Sequence, residues 1–172
     1  MAYYEKVLLY AYPQLLKLTE QIDDLVLKRA LGSFSCYDSC LEQAEAIMDM
    51  TLQKQNLLSL KVRLDEILKK HFENDMIYLE YKYFKRLKKE AYQNFDASSR
   101  GYFRKQLKLA EKFSSLIKAD GMTEKWFFET FSNSEFMMRL LARVTEYETS
   151  GRIIKAKKKE KTTLKVPIKK SA

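Results

Sequence analysis

Residues that form turns are scarce in this chain. Its 172 residues include four Gly and two Pro, Pro13 and Pro167. That is too few for the many tight turns of a hairpin-rich β fold. No alternation of apolar and polar residues is sustained anywhere, so no strand is expected. Histidine and cysteine are scarcer still, with one His and two Cys. His71 lies far in sequence from Cys36 and Cys40, and these three supply too few ligands for a zinc site. The two cysteines stand four residues apart and do not form a CxxC pair. Without a disulfide framework the chain suits a reducing cytoplasm. It also has no glycine-rich phosphate loop and no recurring acid pair at metal spacing. These absences argue against an enzyme, a metal site or a cofactor. No apolar run approaches the ~20 residues that a membrane span needs. The N-terminus shows no basic leader with an apolar segment and a small-residue cleavage site, so no signal peptide is expected.

Helix formers and charge fill the space left by these absences. Apolar residues make up 46% of the chain, enough for a buried core, and charged residues 32%. The mean hydropathy of −0.43 fits a soluble protein. The net charge of +9 is unevenly spread. Residues 1–81 hold nine basic and thirteen acidic groups, a net of −4. Residues 82–118 hold eleven and three, or +8, and residues 119–151 hold three and six, or −3. Residues 152–172 hold nine and one, or +8. Two basic blocks flanking an acidic piece suit a polyanionic partner better than uniform basicity would.

The periodicity predicts an all-α protein in four parts. Residues 1–70 read as a helical hairpin that gives support or dimerises. Its first helix, 3–31, carries a heptad stripe of Leu15, Leu18, Ile22 and Leu25, with Pro13 expected to kink or restart it. "GSFSCYDS" ends that helix, and Asp38 or Ser39 can cap the next. The second helix is expected from Leu41 to Lys70. Its apolar positions are Leu41, Ala44, Met48, Leu57, Leu60, Leu64 and Ile67. A helix-turn-helix module is expected over 71–118, with Ile77, Tyr81 and Phe84 on one side of its first helix. Residues 119–150 should form a short C-terminal helical pair. There Gly121 breaks the chain, "TEKWFFETF" makes a short helix and a last helix runs from Glu135 to about Glu148. Trp126, Phe127, Phe128, Phe131 and Phe136 are expected in the core. Residues 151–172 are lysine-rich and self-repelling and are expected to be a disordered tail.

One stretch concentrates the chemistry: "NFDASSRGYFRKQLKLAEKF", Asn94 to Phe113. Wound at about 100° per residue, Arg100, Arg104, Lys108, Lys112 and Lys105 fall within an arc of about 140°. Leu109, Tyr102, Phe113, Ile117, Ala110, Phe103 and Leu107 take the other arc, which is expected to bury. Ser98 can cap this helix, and a helix N-terminus favours phosphate. Ser99 and Arg100 would stand at the leading edge, where a helix entering the major groove meets base edges. Gly101 would let the backbone approach DNA closely. The candidate DNA-binding residues are Ser98, Ser99, Arg100, Gly101, Arg104, Lys105, Lys108 and Lys112, with Lys88 and Lys89 just upstream.

The run "YLEYKYFKRLKKEAYQNFDASSRGYFRKQLKLAEKF" resembles the helix-turn-helix of sigma factor region four and of small sigma-like phage and mobile-element regulators. Leu79, Tyr81 and Phe84 match its first helix, Ala91 and Phe95 its short second helix, and Asp96, Ala97 and Ser98 its turn. Ser98, Arg100, Tyr102, Phe103, Arg104 and Gln106 match the start of its recognition helix. Lys88 and Lys89 replace the usual apolar start of the short helix. No promoter-melting region is evident before residue 74, so the resemblance implies a regulator and not a complete sigma factor. It further implies double-stranded DNA as the partner and RNA polymerase as a second one. The N-terminal helices offer a surface for a homodimer. The alternative is a non-enzymatic assembly protein of a phage or mobile element whose basic face meets RNA or a protein.

Overall fold

The structure, a computed structural model, describes residues 1–32, 39–84 and 100–163, with side chains described up to residue 150. The described residues are helical, with no strand among them, as the absent alternation requires. Helix α1 spans Tyr3–Ala11 and α2 spans Leu15–Leu31, joined by a 3₁₀ turn over Tyr12–Gln14. Pro13 sits in that turn, where a missing N–H and a fixed φ are tolerated. Helix α3 is long, Cys40–Phe72. A 3₁₀ turn over Glu73–Asp75 leads into the short α4, Met76–Leu79, and a π turn over Glu80–Phe84. Helices α5, Arg100–Ala119, α6, Glu124–Phe131, and α7, Glu135–Thr163, complete the order. Among the described residues, no helix is long and apolar enough to cross a membrane.

Local signals explain most of these boundaries. Ser39 caps α3 through a reciprocal pair. Its Oγ accepts from the Glu42 N–H at 3.2 Å, and Glu42 Oε2 accepts from the Ser39 N–H at 2.7 Å. Gly121, at φ 80°, ends α5 in the left-handed region. The Met122 N–H then reaches back to the Ile117 carbonyl at 2.9 Å. Thr123 caps α6 by accepting from the Trp126 N–H at 3.3 Å.

The centre of the protein is α1. Tyr4, Glu5, Val7, Leu8, Leu9 and Ala11 are all buried, as befits a helix apolar nearly all round. It packs against α7 and the π turn, and Lys6 pairs with Glu148 of α7 at 2.7 Å. One continuous core runs from Tyr4 through Leu64, Phe72, Phe113 and Phe131 to Val144. The boundary expected at 70/71 therefore crosses this core. Helices α2 and α3 run antiparallel along each other. At their base Tyr12 Oη donates to Asp65 Oδ1 at 2.5 Å, and further out Lys54 pairs with Asp23 at 2.6 Å. Burial pushes the Asp65 carboxyl up, but Lys61 and Tyr12 outweigh it and hold it below the usual carboxylate range.

The structure departs from the sequence reading in four ways. First, only the base of the hairpin is buried. Leu15, Leu57, Leu60, Leu64 and Ile67 lie in the core, but Leu25, Leu41, Ala44 and Met48 face solvent. Second, Tyr83 replaces Tyr81 in the core beside Phe84, because the buried line passes through Leu79 and not Ile77, and Tyr83 stands one turn on from Leu79. Third, of the five aromatics expected inside, Phe127 and Phe131 are buried, Trp126 and Phe136 are half-buried, and Phe128 is exposed. Fourth, no disordered tail begins at 151, because α7 continues to Thr163. Lys, Arg, Ala and Glu are strong helix formers, so a helix begun at Glu135 extends through them past Gly151.

Candidate nucleic-acid interface

Helix α5 is held along one face by α1, α3 and α4. Its buried line is Gln106, Leu109, Phe113 and Ile117, with Tyr102 half-buried above them. This spacing is a single helix face. Phe113 meets Phe72 of α3 edge-on at 6.2 Å. Tyr102 stacks on Tyr78 of α4 at 6.2 Å and meets Tyr81 edge-on at 5.8 Å. Gln106 Nε2 donates to the Tyr78 carbonyl at 2.6 Å, and Gln106 Oε1 is buried with no hydrogen-bond partner among the described residues. From α1, Glu5 Oε2 accepts from the Ala2 N–H at 2.7 Å, and Oε1 accepts from Ser114 Oγ at 2.8 Å. Lys118 Nζ stands 3.3 Å from the same Oε1. Burial alone would raise the Glu5 carboxyl. The bonds from Ser114, Ala2 and Lys118 outweigh it and keep the pKa below its usual value.

These anchors sort the five cations of α5. Lys105 pairs with Asp75 Oδ1 at 2.7 Å and lies 5.7 Å from the centre of the Tyr78 ring. The hydrogen bond to Asp75 raises its pKa, so it stays charged and tied. Lys112 Nζ donates to the His71 carbonyl and lies 4.9 Å over the Phe72 ring. Both lysines brace α5 against the end of α3 and the start of α4. Arg100, Arg104 and Lys108 remain exposed, and no ion pair engages them among the described residues. They stand at i, i+4 and i+8, a row along the leading part of the helix.

The apolar arc is narrower than the sequence pattern suggests. Phe103 and Leu107, expected in the core, are 58% and 65% exposed and lie next to the row of cations. With Tyr102, Gln106, Leu109, Phe113 and Ile117 already facing the core, they fall at its edge, and no described helix covers them. Gln106 carried the signal, because a polar side chain in the middle of the apolar arc shows where the contact centres. Gly101 is exposed at the helix start. Ser98, Ser99, Lys88 and Lys89, and with them the expected short helix and turn, lie outside the described residues. Comparison with protein-family models, with curated proteins and with solved structures found no match to this chain.

Proposed function

We propose that the chain is a sequence-specific DNA-binding transcription regulator that uses α5 as the recognition helix of a sigma region-four-like helix-turn-helix. One observation carries this reading. Arg100, Arg104 and Lys108, without an ion pair among the described residues, line the first turns of a helix whose opposite face is clamped into a core. A recognition helix needs a rigid mount, a free leading edge and donors that reach bases and phosphates. Arg100 stands where base edges would be met, and its guanidinium fork suits guanine O6 and N7. Arg104 and Lys108 lie further along the same row and suit phosphates. Lys105 and Lys112 act instead as braces. RNA polymerase remains the second partner implied by the resemblance, in a cytoplasmic setting.

A second reading has its own support. Phe103 and Leu107 are exposed beside the cations, and such a mixed face also fits an acidic amphipathic segment in an assembly. Selection of bound sequences from random duplexes separates the two. The DNA reading expects one enriched motif. Recovery of duplexes without sequence preference favours the assembly reading.

The C-terminal lysines are expected to add affinity without selecting sequence. Residues 152–172 carry nine basic groups and one acid, and each phosphate neutralised contributes to the salt slope. Deleting them should weaken binding to selected and random duplex alike and flatten the dependence on salt. If only discrimination is lost, the tail reads sequence and this assignment is wrong.

A further inference from the structure

We infer that the cleft between α1, the π turn and α7 takes one unpaired nucleotide, with its phosphate on Lys82 and Arg143 and its base against the ring of Tyr147. The inference stands on this cleft alone and does not depend on what α5 binds. The cleft has a volume of about 510 Å³, within the range of small-ligand sites. It has room for one nucleotide and not for a paired helix. Its α7 wall is a single helix face, because Leu140, Arg143, Val144, Tyr147 and Glu148 stand three and four residues apart. Leu140 is half-buried and Val144 buried, so they form an apolar floor. Tyr10 of α1 and Lys82 of the π turn close the opposite side.

Charge calls for an anion. Lys82 and Arg143 line the cleft with Glu148, and Lys6 pairs with that same Glu148 at 2.7 Å. Three cations thus gather around one carboxylate. Lys82 and Arg143 have no ion pair among the described residues. Partial burial, and then the neighbouring Lys6, hold the Lys82 ammonium below the usual lysine range, with Glu148 opposing. An anion in the cleft relieves that repulsion. Tyr10 adds a donor. Burial first, and then Tyr147 and Glu148, push its phenol above the usual range, so it keeps its proton at neutral pH. The rings narrow the choice of anion. Tyr10 is held edge-on by Tyr83 at 5.0 Å, whereas Tyr147 is 77% exposed. An uncovered aromatic ring beside unpaired cations is the combination that binds a single strand, since every base offers a face and every nucleotide a phosphate. A paired base keeps its faces stacked on its neighbours, so the cleft selects an unpaired one. A bare phosphate would leave the ring and the apolar floor unused.

The test titrates the full-length chain with a short oligothymidylate and, separately, with thymidine monophosphate. Tyr147→Ala should weaken binding by about 5- to 150-fold, the scale of one base stacked on an aromatic ring. Tyr147→Phe keeps the ring and should retain the affinity. Arg143→Gln should flatten the slope of log affinity against log salt by about 0.7, the share of one phosphate on a single strand. Both residues are exposed, so each variant should keep the parent's unfolding midpoint. The two probes separate the sources of the nucleotide. Binding of the oligomer alone, lost in Tyr147→Ala, supports a nucleic-acid strand. Binding of the monophosphate with the same sensitivity supports a free nucleotide. If neither probe binds, or if Tyr147→Ala binds both as the parent does, the inference is overturned and the cleft is left to an acidic peptide. A loss at Arg143 without one at Tyr147 means phosphate without a base, and overturns it as well.

Discussion

Replacing Phe113 by Ala is expected to lower the free energy of unfolding by about 3–5 kcal/mol, while replacing Phe103 by Ala changes it by less than about 0.5 kcal/mol. Both residues are phenylalanines on α5, ten positions apart. Phe113 is fully buried against Phe72, so truncation leaves a cavity that the surrounding helices cannot fill. Phe103 is mostly solvent-exposed, so truncation removes little packing. Chemical denaturation monitored by circular dichroism measures both. Equal losses at the two positions would mean that α5 is rotated about its axis, with its cations partly inside. The pair therefore tests which face of α5 is free, the premise of the functional reading.

Replacing Glu5 by Ala is expected to cost about 1.5–3 kcal/mol, the scale of losing hydrogen bonds to a buried charged group. The carboxylate is fully buried and ties α1 to α5, through Ala2 at the start of α1 and Ser114 and Lys118 of α5. Removal strands the Ser114 hydroxyl and loosens α5 from α1. The pH dependence has a definite sign. The folded pKa of Glu5 is depressed, so its contribution is complete above the ordinary carboxylate value of about 4.3 and is lost as pH falls further. Asp65, also depressed, adds to the same acid limb. Stability of the native chain should fall steeply below about pH 4, and Glu5→Gln should make that fall shallower. An acid limb identical in the two proteins would show that Glu5 is not held by Ala2, Ser114 and Lys118.

The sequence revealed where helices start and stop better than which way they face. Ser39 and Gly121 each marked a terminus, because capping is decided by a few adjacent residues. The phase of a helix depends on neighbours distant in sequence. Gln106 lies inside because the Tyr78 carbonyl is there to receive it. Phe103 lies outside because nothing described covers it. Tyr83 took the place of Tyr81 because the buried line follows Leu79 and not Ile77. The central role of α1 was visible in part, since "YYEKVLLYA" is almost wholly apolar, and a lone Glu in such a helix was a sign of a buried partner. The cations of α5 were evident as a set. Their division into two braces and three free groups was not, because it rests on Asp75 and the His71 carbonyl.

The most direct measurement is a binding titration of the full-length chain and its Arg100→Ala variant against a selected duplex and a scrambled one. Arg100 is exposed at the start of α5, so the variant should fold as the parent does. Loss of a bidentate base contact should weaken the selected duplex by about 1–3 kcal/mol and relax preference at one base position. The scrambled duplex should be nearly unaffected. Lys108→Ala in the same assay should weaken both duplexes about equally, as a phosphate contact does. If Arg100→Ala leaves both affinities unchanged, the free face of α5 does not read DNA, and its cations, with Phe103 and Leu107, belong to a protein contact.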